Sequence, residues 1–330
     1  MRKAEPEEGC LLRDVRAGFG RNPIGRLLFP RKWIQAAVIL CATALALSFC
    51  GSKSNEPTPV IIKQIYYTPA WSPDGREIVC QLTRIDDSSN STYFIAVIDA
   101  ATGVIVRDRS LDFPPPFAFS WTPDGHWLLF GASPGIFKMS SDLDSLVQLT
   151  SGEFHAYPSY SRARDVIFFT VNDARLGGLF SVTLEGDGLR RWSTAETGVL
   201  GTYAFPDSSD SLIGFDPGVH SDRLIVFAPD NIAGGDFLGV ESFTTTVKIS
   251  YDHRYVAYNR GASSEAVGYL VVLDRATDSS WSVTTHLSYE MSFSPDGGRL
   301  VYPVQEGKEV GLWILDVATG GRTRLTDGTQ

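Results

Sequence analysis

An all-β fold, a six-bladed β-propeller with four-stranded antiparallel blades, is predicted by three features of this sequence. A strand, tight turn, strand unit recurs down the chain. Its recurrence has a near-constant period. No window shows sustained helical periodicity or an alternation of helix with strand.

The unit is clearest at Ala70-Trp71-Ser72-Pro73-Asp74-Gly75, followed by the apolar run to Cys80. It returns at Phe119-Ser120-Trp121-Thr122-Pro123-Asp124-Gly125 and at Phe293-Ser294-Pro295-Asp296-Gly297. Between these, units ending their first strand at Tyr160, Phe205 and Ile249 have lost the Pro-Asp-Gly letters but keep polar turn residues. The strand ends Trp71, Trp121, Tyr160, Phe205, Ile249 and Phe293 are 50, 39, 45, 44 and 44 residues apart, so six units fill 60–330. Each unit continues into a third strand, such as Tyr93 to Asp99, Leu179 to Val182, Tyr269 to Asp274 or Leu312 to Asp316, and then a weaker fourth. Closing the ring leaves two options: residues 60–66 pair as an outer strand on the last blade, or Thr323-Arg324-Leu325 takes that place.

Ahead of the propeller, residues 1–32 are basic, and Trp33 to Phe49 runs without a charge. This is the order of a positive n-region and an apolar h-region. Leu47-Ser48-Phe49-Cys50-Gly51 resembles a bacterial lipobox, which makes Cys50 the expected lipidation site. Phe49 is larger than the Gly, Ala or Ser usual before that cysteine, so an uncleaved anchor or an ordinary signal peptide are the other readings of 33–50. The basic stretch is long for an n-region, as a start codon placed too early would make it. Residues 51–59 are polar and proline-containing, a flexible linker. An exported body tethered to a membrane, in the periplasm or at a bacterial cell surface, is the expected location.

Composition narrows the partners. Of 29 basic and 38 acidic residues, eight and four lie within 1–50, which leaves 21 against 34 and a body near −13. Such a field repels phosphate backbones, so nucleic acid is excluded as a partner. Of the four cysteines only Cys80 lies in the body, which rules out a disulfide framework there and points to a buried, inert thiol.

Residues 70–75, 120–125 and 293–297, with the Asp-x-x-Thr-Gly turns at 99–103 and 316–320, resemble the repeat of TolB-like propellers. The resemblance implies the propeller and an envelope setting. TolB itself carries a further α/β domain and works in the periplasm with an outer-membrane lipoprotein; prolyl-oligopeptidase-type propellers carry a hydrolase domain. Residues 60–330 match neither addition. In the repeat, Pro fixes φ, Asp caps the turn and Gly takes positive φ, so Asp74, Gly75, Asp124, Gly125, Asp296 and Gly297 are expected to be structural.

Chemical motifs are weak. Gly131-Ala132-Ser133-Pro134-Gly135 has the letters of a nucleophile elbow but leads into a strand, where the elbow needs a helix. Asp142-Leu143-Asp144-Ser145 and Glu185-Gly186-Asp187-Gly188 lack the full ligand series of a calcium loop. Asn90-Ser91-Thr92 is a glycosylation sequon by its letters, idle in a bacterium. Among five histidines, His155, His220 and His286 fall in loops of one face and are the weak metal candidates. That face also carries the longest loops, 84–92, 113–117, 172–178, 216–222 and 261–268, where binding residues are expected to concentrate. Phe113, Pro115 and Phe117 are its candidate partner contacts, although Phe117 also fits as the entry to the next inner strand.

The sequence therefore points to a non-enzymatic, monomeric scaffold without a cofactor, binding a protein or envelope component through the loop face. A hydrolase or lyase acting on peptide or glycan at the central opening, and a small-ligand sensor, are the alternatives. The enzyme reading needs two carboxylates, or a histidine and a carboxylate, converging near the axis.

Overall fold

The computed structural model describes residues 61–328 except 113, 154, 172, 174–176, 194–199, 206–208, 217–222, 239–245, 262–267, 286–289 and 306–308. The N-terminal basic region, the apolar run, Cys50 and the linker lie outside the described residues, as do Phe113, His220 and His286. No helix among the described residues is long and apolar enough to cross a membrane.

Among the described residues, twenty-four strands form six four-stranded antiparallel sheets, each a simple meander, arranged as a six-bladed propeller. Blade 1 is β1 (Ile61–Trp71), β2 (Glu77–Asp86), β3 (Ser91–Asp99) and β4 (Ile105–Ser110). Blade 2 is β5 (Phe117–Trp121), β6 (Trp127–Ala132), β7 (Gly135–Ser140) and β8 (Leu146–Gln148). Blade 3 is β9 (His155–Ser161), β10 (Val166–Val171), β11 (Gly178–Val182) and β12 (Arg190–Arg191). Blade 4 is β13 (Leu200–Ala204), β14 (Leu212–Asp216), β15 (Arg223–Ala228) and β16 (Asn231–Phe237). Blade 5 is β17 (Val247–Ile249), β18 (Tyr255–Gly261), β19 (Gly268–Asp274) and β20 (Ser279–Thr285). Blade 6 is β21 (Ser292–Phe293), β22 (Arg299–Val304), β23 (Gly311–Asp316) and β24 (Arg322–Arg324).

Alternation along the middle strands sends neighbouring side chains into different blade interfaces. Leu128 and Phe130 of β6 pack toward blade 1, while Leu129 between them packs toward blade 3. Phe168 of β10 faces blade 4, and Ile167 and Phe169 face blade 2. Both faces of each sheet are thus buried, which is why these strands read as near-continuous apolar runs. Cys80 is part of the interface between blades 6 and 1, and burial pushes its thiol up.

Ring closure is resolved in favour of the C-terminal option. Residues from Ile61 onward belong to β1, the innermost strand of blade 1, and β24 is the outer strand of blade 6. Strand β21 packs on β1, and the Gln64 N–H donates to the Gly328 carbonyl at 2.8 Å. Two loop expectations are corrected by strand pairing. Arg84 pairs with Thr92 and Ile85 with Ser91, so the loop 84–92 shrinks to Asp87–Asn90. His155 opens β9, where it pairs with Val171.

The first turns of blades 1, 2, 5 and 6 share one hydrogen-bond pattern. Ser72 Oγ donates to Asp74 Oδ1 at 2.6 Å, the same oxygen accepts from the Arg76 N–H at 3.1 Å, and Gly75 sits at φ +73°. Thr122 and Asp124, and Ser294 and Asp296, repeat it. Blade 5 keeps it without the glycine, since Ser250 donates to Asp252 and His253 takes φ +58°. Hydroxyl donors hold Asp74 and Asp296 below the usual carboxylate range, and Thr102 and Thr319 do the same for Asp99 and Asp316. A depressed folded pKa contributes stability that is complete above the unfolded value near 3.9 and is lost as pH falls through the folded value. The urea midpoint is therefore expected to drop below about pH 4. The drop should shrink in Ser72→Ala/Ser294→Ala.

A second repeat joins third strands to fourth. Gly135, Gly178 and Gly311 open β7, β11 and β23 with φ of +152°, +137° and +151°. Fifteen residues after each stands Thr150, Ser193 or Thr326, whose hydroxyl accepts the N–H of Ile136, Leu179 or Leu312 at 3.0, 2.8 and 2.8 Å. The side chains of Gln148, Arg191 and Arg324 close the motif by donating to the carbonyls of Thr150, Ser193 and Thr326. The sequence signal is a Gly followed fifteen residues later by Thr or Ser; its backbone meaning appears only once the strands are paired.

Candidate functional site

Six inner strands surround the axis, and residues from all six blades line a cavity of about 120 Å³ there. The strand ends that carry the first turns form its mouth: Trp121 and Pro123 of blade 2, Tyr160 and Arg162 of blade 3, and Tyr251 of blade 5. Trp121 is half-buried and held by its Nε1–H donating to the Ala70 carbonyl at 3.1 Å, whereas Arg162 is exposed. A neighbouring hollow, lined by Thr122, Pro123, Asp124, Tyr160, Arg162 and Leu184, continues from this mouth across the turns of blades 2 and 3.

Lys248, in the middle of β17, is the deep charged group of the cavity wall. Its Nζ lies 3.5 Å from Glu290 Oε2 and 3.3 Å from the centre of the Tyr203 ring. The side chains of Lys248 and Glu290 are only 14% and 7% exposed, so this ion pair is desolvated. Glu290 accepts hydrogen bonds from Tyr203 Oη at 2.9 and 3.2 Å and from Thr246 Oγ1 at 3.4 Å. Tyr157 packs edge-on against Tyr203. Burial pushes Lys248 down and Glu290 up, and their attraction for each other works against both shifts. Burial next to Glu290 raises Tyr157 to about 12.

The axis therefore gathers a lysine, a carboxylate and phenols, none of them singled out from the sequence. Lys248 and Glu290 were visible as charges interrupting or abutting the apolar inner segments Val247-Lys248-Ile249 and Met291-Ser292-Phe293. Their meeting requires blades 5 and 6 to be placed side by side.

The sequence-predicted residues that are described, His155, Pro115 and Phe117 among them, lie elsewhere. His155 Nδ1 is 2.8 Å from Thr150 Oγ1, its ring packs on Phe169, and burial holds its pKa below the usual histidine value. No group of three or more His, Cys, Asp or Glu among the described residues is arranged to hold a metal ion. Ser133 lies in the hairpin between β6 and β7, away from a helix N-terminus. Pro115 is half-buried and Pro116 buried, and Phe117 opens β5 with its ring against Gly131, so these residues form the entry to an inner strand.

No protein-family model matches the chain, and no curated protein sequence matches it. Solved structures do. TolB from Acinetobacter baumannii is similar with a TM-score of 0.59 at 20% identity, over 90% of this chain and 70% of that one. An oligogalacturonate lyase in complex with manganese reaches 0.51 at 10% identity over 81% and 78%, and hydrazine synthase of Kuenenia stuttgartiensis 0.51 at 15% over 81% and 80%. Across TolB, a lyase and a synthase, at identities of 20% and below, the shared property is a TolB-like propeller fold.

Proposed function

We propose that this protein is a non-enzymatic binding propeller, tethered to the cell envelope, that receives a segment of a protein or envelope partner at its axial mouth. The observation that carries the reading is the mouth itself. Half-buried Trp121, Tyr160 and Tyr251 surround an opening with exposed Arg162 on its rim. Aromatic residues and arginine dominate binding energy when they sit in a concave, partly desolvated setting. The sequence favoured the long-loop face; the cavity opens at the opposite end, among the short first turns, whose hydrogen bonds pre-organise it.

Envelope extract from the source cells, passed over the full chain and over Trp121→Ala/Arg162→Glu, tests this. One enriched species lost with the double substitution is expected; equal enrichment by both proteins would contradict the mouth as the binding face. The tether is tested separately by palmitate labelling. Label is expected on the wild type and absent from Cys50→Ala; label that survives the substitution would sink the lipidation assignment.

A further inference from the structure

We propose that the axial cavity is a carboxylate-binding site in which the Lys248 ammonium receives the anion. This deepens, and rests on, the reading of the mouth as the binding end. The argument is a surplus of donors. Of the sixteen described residues lining the cavity, two are cationic, Lys248 and Arg162, and none is Asp or Glu. That is the reverse of the body's charge balance, with 21 basic against 34 acidic residues beyond residue 50.

The donors are also under-used. An ammonium carries three N–H groups; among the described residues Lys248 meets one carboxylate, Glu290 at 3.5 Å, and one ring, Tyr203 at 3.3 Å. At the rim, exposed Arg162 makes one long contact among the described residues, 3.5 Å to the Pro123 carbonyl. Buried donors left without acceptors are costly, and a ligand that accepts from them recovers that cost. Glu290 is not among the described residues of the wall, so the ionisable side chain that the wall itself presents at this depth is Lys248, flanked by the Tyr203 ring.

Size limits the ligand. The cavity of about 120 Å³ has room for a small anion. It suits a small organic acid, or the tip of an acidic side chain presented by a partner segment. The negative body does not forbid approach, since the charged side chains described in the cavity wall are both cationic.

Saturation-transfer NMR on the full chain, with acetate as the probe, reads the site. Transfer to the acetate methyl is expected in the wild type and not to acetamide, which has the same shape without the charge. Lys248→Met should weaken acetate at least tenfold. Because that variant removes the cation facing Glu290, Lys248→Met/Glu290→Gln provides a neutral pair that keeps the fold and should lose acetate equally. Blocked Gly-Glu-Gly and Gly-Gln-Gly peptides identify the source. Glutamyl peptide binding at least tenfold tighter than acetate assigns the carboxylate to a partner segment, and binding no tighter assigns it to a free acid; both support a carboxylate site. Equal transfer to acetate and acetamide, or acetate binding that survives in the double variant, would overturn it. If acetate recognition fails while partner capture still depends on Trp121 and Arg162, this inference falls and the mouth reading stands.

Discussion

Replacing Gly311 by alanine is expected to lower stability by about 3–5 kcal/mol, seen as a fall in the urea midpoint at unchanged slope. A Cβ there would lie 2.1 Å from the Thr326 carbonyl oxygen, and the residue sits at φ +151°, a region open essentially to glycine. The clash is with backbone, which cannot rotate away. Relief would require β23 to part from the segment after β24, and the Thr326 hydroxyl would then release the Leu312 N–H. Gly135→Ala and Gly178→Ala should behave alike, because their added Cβ atoms would lie 1.9 and 2.3 Å from the carbonyls of Thr150 and Ser193. Gly320 supplies the control. It has φ +71° but nothing within 4 Å, so its alanine variant should lose only about 1 kcal/mol from backbone strain. Similar losses at Gly311 and Gly320 would show that close backbone approach is not what fixes these glycines.

The second large effect is at the axis. Lys248→Ala is expected to cost about 3–5 kcal/mol because it removes the cation facing Glu290 in a desolvated site. Lys248→Met/Glu290→Leu, which removes both charges, should return to within about 1 kcal/mol of the wild type or exceed it. The pH dependence has a definite sign. Without its lysine, Glu290 has a folded pKa raised further above the unfolded value, and such a group contributes stability below that unfolded value and loses it as pH rises through the folded one. The deficit of Lys248→Ala should therefore be small near pH 4 and grow toward neutrality. A deficit independent of pH would mean that lost packing against Tyr203 dominates. Denaturant titrations of the wild type, Lys248→Met, Glu290→Leu and Lys248→Met/Glu290→Leu, at two pH values, separate the cases.

The sequence made the blade legible and left the axis obscure, for one physical reason. Turn chemistry and strand alternation act over a few residues, so Ser72 to Gly75 and the apolar run of β2 announce themselves locally. The period then supplies the number of blades. Lys248 and Glu290 are 42 positions apart and meet because blades 5 and 6 stand side by side around the ring. In the sequence each is a single charge beside an apolar strand. Long loops drew attention to the far face because loop length is readable from sequence. Concavity at the turn face arises from six inner strands converging, and no single strand shows it. Closure followed the same rule, since the contact of Gln64 with Gly328 joins the two ends of the repeat.

Site-specific photo-crosslinking in the source cells tests the central claim most directly. A photoreactive residue replaces Ala163, exposed beside Arg162 at the mouth, in one strain and Asp87, in the exposed loop between β2 and β3 on the opposite face, in another. The account predicts a discrete crosslinked adduct from position 163 that disappears when Trp121→Ala is added, and no such adduct from position 87. A discrete adduct from position 87, with none from 163, would contradict it and place binding on the long-loop face.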